Sequence, residues 1–144
     1  MLRRLSESER YQHNFKLLKT AQGVGLITAM GMLLELPNFR LFKTKNQISK
    51  ILGLSPQVAR SGEECKDLGR EEGGKQRLRS LLIEAAWRWI RKDFGAHQRF
   101  NQYLINTGGK KKAITAMARK LGIKLWFMLI TQQPWRSMEE LKQN

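Results

Sequence analysis

The stretch from Lys75 to Lys92, KQRLRSLLIEAAWRWIRK, decides the fold class of this 144-residue chain. Its apolar residues stand at Leu78, Leu81, Leu82, Ala85, Ala86, Trp89 and Ile90. Spacings of three and four place them along one stripe of an α-helix with polar residues on the other face. The same period returns from Lys110 to Ile130, where Ile114, Met117, Ala118, Leu121, Leu125, Met128 and Leu129 share a face. Upstream, Ser6–Ala21 reads as a polar helix that turns apolar late and breaks at Gly23-Val24-Gly25. A helix from Leu26 to about Leu36 stops at Pro37, which cannot continue it. Asn38–Lys45 is a connector with two aromatics to plug a core, and a short helix from Asn46 to Leu52 ends at Gly53. After a break near Gly95, a helix from Ala96 to Ile105 leads into the turn Asn106-Thr107-Gly108-Gly109, and Pro134 closes the last helix. No segment alternates with the period of a strand, and no internal repeat is visible. The expectation is an all-α fold: a helical hairpin packed on long basic amphipathic helices.

Between the short helix and the first long one, Ser55–Gly74 carries no periodicity, with four Gly and eight charged residues. A loop of this length inside a compact domain is usually functional or disordered. The chain therefore divides into a polar helical lead (1–16), one domain (17–130) and a polar tail (131–144). The domain contains a hairpin at 17–36, a Gly-rich loop at 53–74, and basic helices at 75–94 and 110–130.

Charge is lopsided: 27 Lys and Arg oppose 12 Asp and Glu, a net +15. Such a balance speaks of partners rather than fold, and nucleic acid is the first expectation for a basic domain. Lys75, Arg77, Arg79, Arg88, Arg91 and Lys92 flank the stripe of the first long helix; Lys110, Lys111, Lys112, Arg119, Lys120 and Lys124 flank that of the last. Glu84 is the one carboxylate against them. Solvated helix faces normally mix signs, so single-sign faces point to phosphates. An anionic membrane surface is the weaker alternative, and the longest apolar run, Gly25–Leu34, is far short of the roughly 20 residues a span requires. One cysteine, Cys65, excludes an intrachain disulfide and fits a cytoplasmic protein. One Cys and two scattered His make no metal site. Trp87, Trp89 and Trp126 sit in or beside the stripes, and core packing suits them better than base stacking.

Two constellations carry candidate chemistry. Leu18-x-x-Ala21-x-Gly23-Val24-Gly25, followed by Ala29, Met32 and Leu33, resembles the helix-hairpin-helix of DNA-binding proteins. Glycines allow the backbone N–H groups at Gly23 and Gly25 to come close to a phosphate, and the next helix adds its positive dipole end. Val24 would anchor the turn in the core. The plain alternative is an αα-hairpin with a glycine turn. The second constellation is Ser61-Gly62 on the long loop, beside Glu63, Glu64, Asp67, Glu71 and Glu72. A serine needs activation to act as a nucleophile, and neither His13 nor His97 has a triad-like context.

The ordered set of motifs over about a hundred residues resembles the C-terminal transposase domain of the insertion-sequence 110/116/902 family of DNA transposases. It comprises Ala21-Gln22-Gly23-Val24-Gly25, then Glu35-Leu36-Pro37-Asn38-Phe39-Arg40-Leu41-Phe42, then Gly53-Leu54-Ser55-Pro56 with Ser61-Gly62. Leu78-Arg79-Ser80-Leu81-Leu82-Ile83-Glu84-Ala85-Ala86-Trp87 and Ala116-Met117-Ala118-Arg119-Lys120-Leu121 complete it. The resemblance implies DNA transposition and recombination, with Ser61 as the residue that attacks a DNA phosphodiester. From the glycine turn and the basic helices, the candidate phosphate contacts are Gly23, Gly25, Lys75, Arg77, Arg79, Arg119 and Lys120. The implied partners are DNA, a structured RNA that can guide target choice, further copies of the chain when active, and a separate RuvC-like domain. That domain, not this chain, would bring the acidic residues and Mg2+. In place of the family's Gly-x-Ile-[Ser/Thr]-Lys, this chain has Gly69-Arg70-Glu71-Glu72-Gly73, without the apolar residue and the lysine. Independent cleavage is therefore not expected, and a non-catalytic nucleic-acid-binding module or an inactive remnant is the alternative.

Overall fold

A computed structural model describes residues 2–54 and 73–137, with backbone alone for 73–75. Among these residues the structure is all-α, as expected: seven α-helices, one 3-10 turn and no strand. In chain order they are α1 (Leu2–Glu7), α2 (Gln12–Lys19), α3 (Leu26–Glu35), the 3-10 turn Phe39–Leu41, α4 (Lys45–Ile51), α5 (Gly73–Lys92), α6 (Phe94–Thr107) and α7 (Lys110–Thr131). The Ser61 loop lies outside the described residues.

The two sequence stripes meet as the middle of the molecule. Leu78, Leu82, Ala85, Ala86, Trp89 and Ile90 of α5 are buried, as are Ile114, Met117, Ala118, Leu121, Leu125, Met128 and Leu129 of α7. Trp89 is wholly enclosed, and burying a side chain of this size contributes at least ~2–3 kcal/mol. α7 packs on α5, α6, α4 and α2, while α5 also packs on α3. Gly122 sets the approach of α7: a Cβ there would lie 2.6 Å from Leu52 Cδ1 and 3.3 Å from Leu82 Cδ1. Phe39 and Phe42 pack on the core, as the connector reading expected. Trp126 Nε1 donates to the Phe39 carbonyl at 2.9 Å, which joins α7 to the 3-10 turn.

Element ends differ from the sequence reading where a side chain or a tertiary tie outranks propensity. The expected helix over Ser6–Ala21 is two helices with a turn between them. At that turn the Ser8 hydroxyl and backbone N–H both donate to the Leu5 carbonyl, at 2.7 and 3.2 Å. A serine that hydrogen-bonds the backbone locally competes with helix continuation. The break expected near Gly95 is present, between Lys92 and Phe94. Asp93 is the break: it is only 2% exposed, and its Oδ1 accepts from Gly95 N–H at 3.0 Å as the N-cap of α6. Thr44 and Gln47 form a capping box, so α4 starts at Lys45. α7 stops at Gln132, not at Pro134. Gln132 adopts φ 57, and its side-chain amide bonds His13 Nε2, Asn14 Oδ1 and the Leu129 carbonyl.

The expected polar tail folds back at its start. Trp135 N–H donates to Thr20 Oγ1 at 3.0 Å, and its ring meets Trp89 edge-on at 5.4 Å. Trp89 and Trp126 lie in the core as expected, whereas Trp87 is 36% exposed and packs edge-on against Phe100.

Gly23 forms the turn between α2 and α3 at φ +85. A Cβ there would stand 2.8 Å from the Ala85 carbonyl oxygen and 2.9 Å from the Trp89 nitrogen, both backbone atoms of α5. Arg88 Nε donates to the Gly23 carbonyl at 2.9 Å, and Val24 is buried beside it. Gly23→Ala is expected to destabilise the fold by at least ~2 kcal/mol, from left-handed strain plus displaced backbone contact; denaturant melts read this directly. Asp93→Ala removes the α6 cap and strips the buried Trp89 Nε1 of its acceptor, 3.1 Å away. A loss of about 2–4 kcal/mol is expected in the same assay.

Candidate nucleic-acid interface

The hairpin turn uses its two glycines differently. Gly23 is held against α5, so its lack of a side chain is explained by helix packing. Gly25 stands at the N-cap of α3, extended at φ −102 and ψ −168, with open space where a Cβ would be and no capping side chain. The first N–H groups of α3 therefore have no side-chain acceptor from their own N-cap.

Arg77 is exposed on the first turns of α5, and the backbone of Lys75 precedes it in the same helix. Arg79 is partly buried. Its Nη1 and Cδ lie 3.6 and 3.8 Å from the Cβ position of Gly53, so it lies over the turn that ends α4. Arg88, counted with the basic face from sequence, is instead the tie between α5 and the hairpin turn.

Arg119 and Lys120 are partly buried on α7. Burial, joined by the cations Arg99, Lys45 and Arg119, holds the Lys120 ammonium below the ordinary lysine value of 10.5. Lys45 begins α4 and Arg99 lies within α6, so this group of cations draws on three helices. Sequence reasoning missed Lys45 and Arg99 because it looked along single helices. Their only signal was that each is a cation beside an otherwise helical pattern. Lys124, one turn on from Lys120, is different. Its pKa is lowered by burial and by Lys120, but Asp93 pulls it back up. Its Nζ donates to the Arg136 carbonyl at 3.3 Å and lies 4.6 Å from the Trp135 ring centroid. Lys124 is thus an anchor for the returning tail.

Among the described residues no group of three or more His, Cys, Asp or Glu could hold a metal ion. No helix among them is long and apolar enough to cross a membrane.

The family model described as "Transposase IS116/IS110/IS902 family" matches residues 15–102, which cover the hairpin, α4, the Ser61 segment, α5 and the first part of α6. The chain is 34% identical over 94 residues to y4rJ of Sinorhizobium fredii, named as a transposase, covering 60% of this chain and 23% of that protein. It is 28% identical over 122 residues to the transposase for insertion sequence element IS1111A of Coxiella burnetii, covering 83% of this chain and 34% of that protein. A third relative, y4qE of S. fredii, also named as a transposase, is 36% identical over 70 residues, 49% of this chain and 18% of its own. The chain thus spans about a third or less of the length of these curated relatives. No solved structure matches.

The lowered Lys120 pKa sets a sign for stability against pH. A lysine whose folded pKa lies below its unfolded one weakens the fold while it is charged. The penalty is present in full below the folded pKa and fades as pH rises toward 10.5. Lys120→Met, which keeps the apolar stem, is expected to raise stability near pH 7 by roughly a few tenths of a kcal/mol after solvent screening. That gain should shrink as the pH of the melts is raised toward 10.5.

Proposed function

The chain belongs to the transposase IS116/IS110/IS902 family, and on that premise we propose that it is the DNA-binding C-terminal part of a transposase. In this reading Ser61 is the nucleophile of DNA transposition. Its Oγ attacks a backbone phosphorus, an Oγ–P bond forms as the bond to one bridging sugar oxygen breaks, and that oxygen leaves with a proton. The product is a covalent phosphoserine link, which preserves the energy of the broken phosphodiester for rejoining.

The observation that carries the reading is the family match itself, which runs through Ser61 and through the helices on either side of it. The distribution of charge supports it. Gly25 leaves the start of α3 without a capping side chain, Arg79 lies next to the end of α4, and Arg77 is exposed on α5. Arg119 and Lys120 of α7 act together with Lys45 of α4 and Arg99 of α6. Such contacts fix a duplex by its backbone and carry no sequence information. Target choice would come from elsewhere, a guide RNA being one source.

The chain's own part in the reaction is to bind DNA and present the serine. An RuvC-like domain or chain would supply the carboxylates and Mg2+, whose role is to stabilise charge at the scissile phosphate; oligomerisation would bring two DNA ends together. Glu71 and Gly73, in place of the family's apolar residue and lysine, with Glu72 between them, favour a second reading in which this copy binds DNA without cutting it.

With labelled duplex DNA and an added RuvC-like domain from a relative, a protein–DNA adduct stable to denaturation is expected for the wild type and lost in Ser61→Ala. Duplex binding should be the same in both. An adduct that persists in Ser61→Ala removes the serine from its role. Binding with no adduct from either protein establishes the non-cutting reading.

A further inference from the structure

We propose that the Trp87 indole, with Arg91 one turn on along α5, is a stacking platform for an unpaired nucleobase, so that this face takes a single-stranded segment of nucleic acid. The inference rests on the nucleic-acid reading above for the kind of ligand and goes beyond it in the strand it selects.

Spacing along α5 groups Trp87 with the core tryptophans, and the fold separates them. Trp89 and Trp126 are buried, and their indole N–H groups go to Asp93 Oδ2 and the Phe39 carbonyl, at 3.1 and 2.9 Å. Trp87 is 36% exposed, and no described residue accepts its N–H. Its ring meets buried Phe100 of α6 edge-on, with centroids 5.4 Å apart and planes at 70°. Such a contact holds the indole in one orientation and leaves part of its surface in water. The helix beneath is fixed as well. Arg88, next in the chain, is tied to the Gly23 carbonyl at 2.9 Å, and Trp89 is wholly enclosed. A ring held on a packed helix gives up little freedom when a ligand stacks on it.

Charge selects the partner. Residues four apart on a helix are neighbours, with roughly 5–6 Å between their Cβ atoms. Arg91 therefore stands beside Trp87, both are exposed, and exposed Lys92 follows. Glu84, the one carboxylate in the α5 sequence, lies three residues before Trp87 and is also exposed. It bounds the face on the side away from Arg91, so an anion is favoured at the Arg91 end. A nucleotide offers a π face and an anionic phosphate side by side, and one nucleotide can meet ring and guanidinium together. An apolar protein segment would use the ring and leave the cations idle, since charged residues are depleted at the core of protein interfaces. Base faces inside a duplex are covered by their neighbours, so the ligand has to bring unpaired bases.

The test is binding of the full chain, at low salt, to labelled probes of one length: oligodeoxyuridine, oligouridine, a deoxy strand with abasic sites in place of bases, and duplex DNA. The wild type is expected to bind a uridine strand roughly five- to a hundred-fold tighter than the abasic strand. The tighter of the deoxy and ribo strands names the source of the bases. Trp87→Leu and Trp87→Gln should lose that preference and bind duplex DNA as the wild type does, with circular dichroism melts reading their folding. Trp87→Tyr, which keeps a ring, should retain most of the preference, and Phe127→Leu, at an exposed aromatic of α7, all of it. Arg91→Gln should weaken uridine and abasic strands alike. Without any substitution, photocrosslinking of the wild type to an iodouracil strand should map to the peptide that contains Trp87. A preference that survives both Trp87→Leu and Trp87→Gln, or that falls as far in Phe127→Leu, overturns the platform. So does an Arg91→Gln protein that binds both strands like the wild type, or a crosslink that maps elsewhere. A wild type that binds duplex DNA but shows no preference for bases overturns the platform and leaves the DNA reading standing. A wild type that binds none of the probes overturns both.

Discussion

At Gly23 the hairpin turn lies against the backbone of α5 with no room for a single extra carbon, because the Ala85 carbonyl and the Trp89 nitrogen would be 2.8 and 2.9 Å from it. The rest of the structure depends on that approach. It brings the Gly23 carbonyl within reach of Arg88 Nε and seats Val24 in the core. It also holds α3 along α5, where Gly31 admits the side chains of Leu81 and Leu78 at 3.2 and 3.5 Å. α5 can then turn its other buried residues toward α7. A Cβ at Gly23 would act at the centre of the packing, since backbone cannot yield as a flexible side chain can.

Charge is the second constraint, and it is distributed unevenly. A net +15 repels itself in any compact state. Much of that charge stays exposed on helix faces, where water and salt screen it. Asp93 is buried, but it is satisfied by the Trp89 indole and the first turn of α6, and its field favours the charged form of Lys124. Among the described residues no carboxylate gives Lys120 such help. The same fold therefore contains one lysine neutralised as an anchor and another, one turn earlier, left among cations.

Several features were readable from the order of residues because they depend on local physics. The stripe at Leu78–Ile90 and the stripe at Ile114–Leu129 became the core, since a three- and four-residue period has one way to bury itself. Gly53 and Gly108 end helices at φ +69 and +73, as glycine after a helix commonly does. The errors share a cause. Pro134 looked like the stop, but Gln132 ends α7 earlier through bonds to His13 and Asn14, more than a hundred positions away in the chain. Trp87 looked like core, but it sits at the edge of the buried stripe. Each correct answer needed a partner that periodicity does not contain.

By itself the sequence determined the all-α class, the two amphipathic helices, the excess of positive charge and the ordered motifs that place the chain in its transposase family. These follow from composition, from period and from residue order, and none requires knowing which helix lies beside which. Tertiary structure alone decided which charges act together. Lys45, Arg99 and Lys120 lie far apart in the chain and join only because α4 and α6 both pack on α7. It also decided that Gly23 serves helix packing and that Arg88 is a tie between elements. The physical reason is the same in each case: burial and Coulomb interaction depend on distance in space, and the chain specifies that distance only after it has folded.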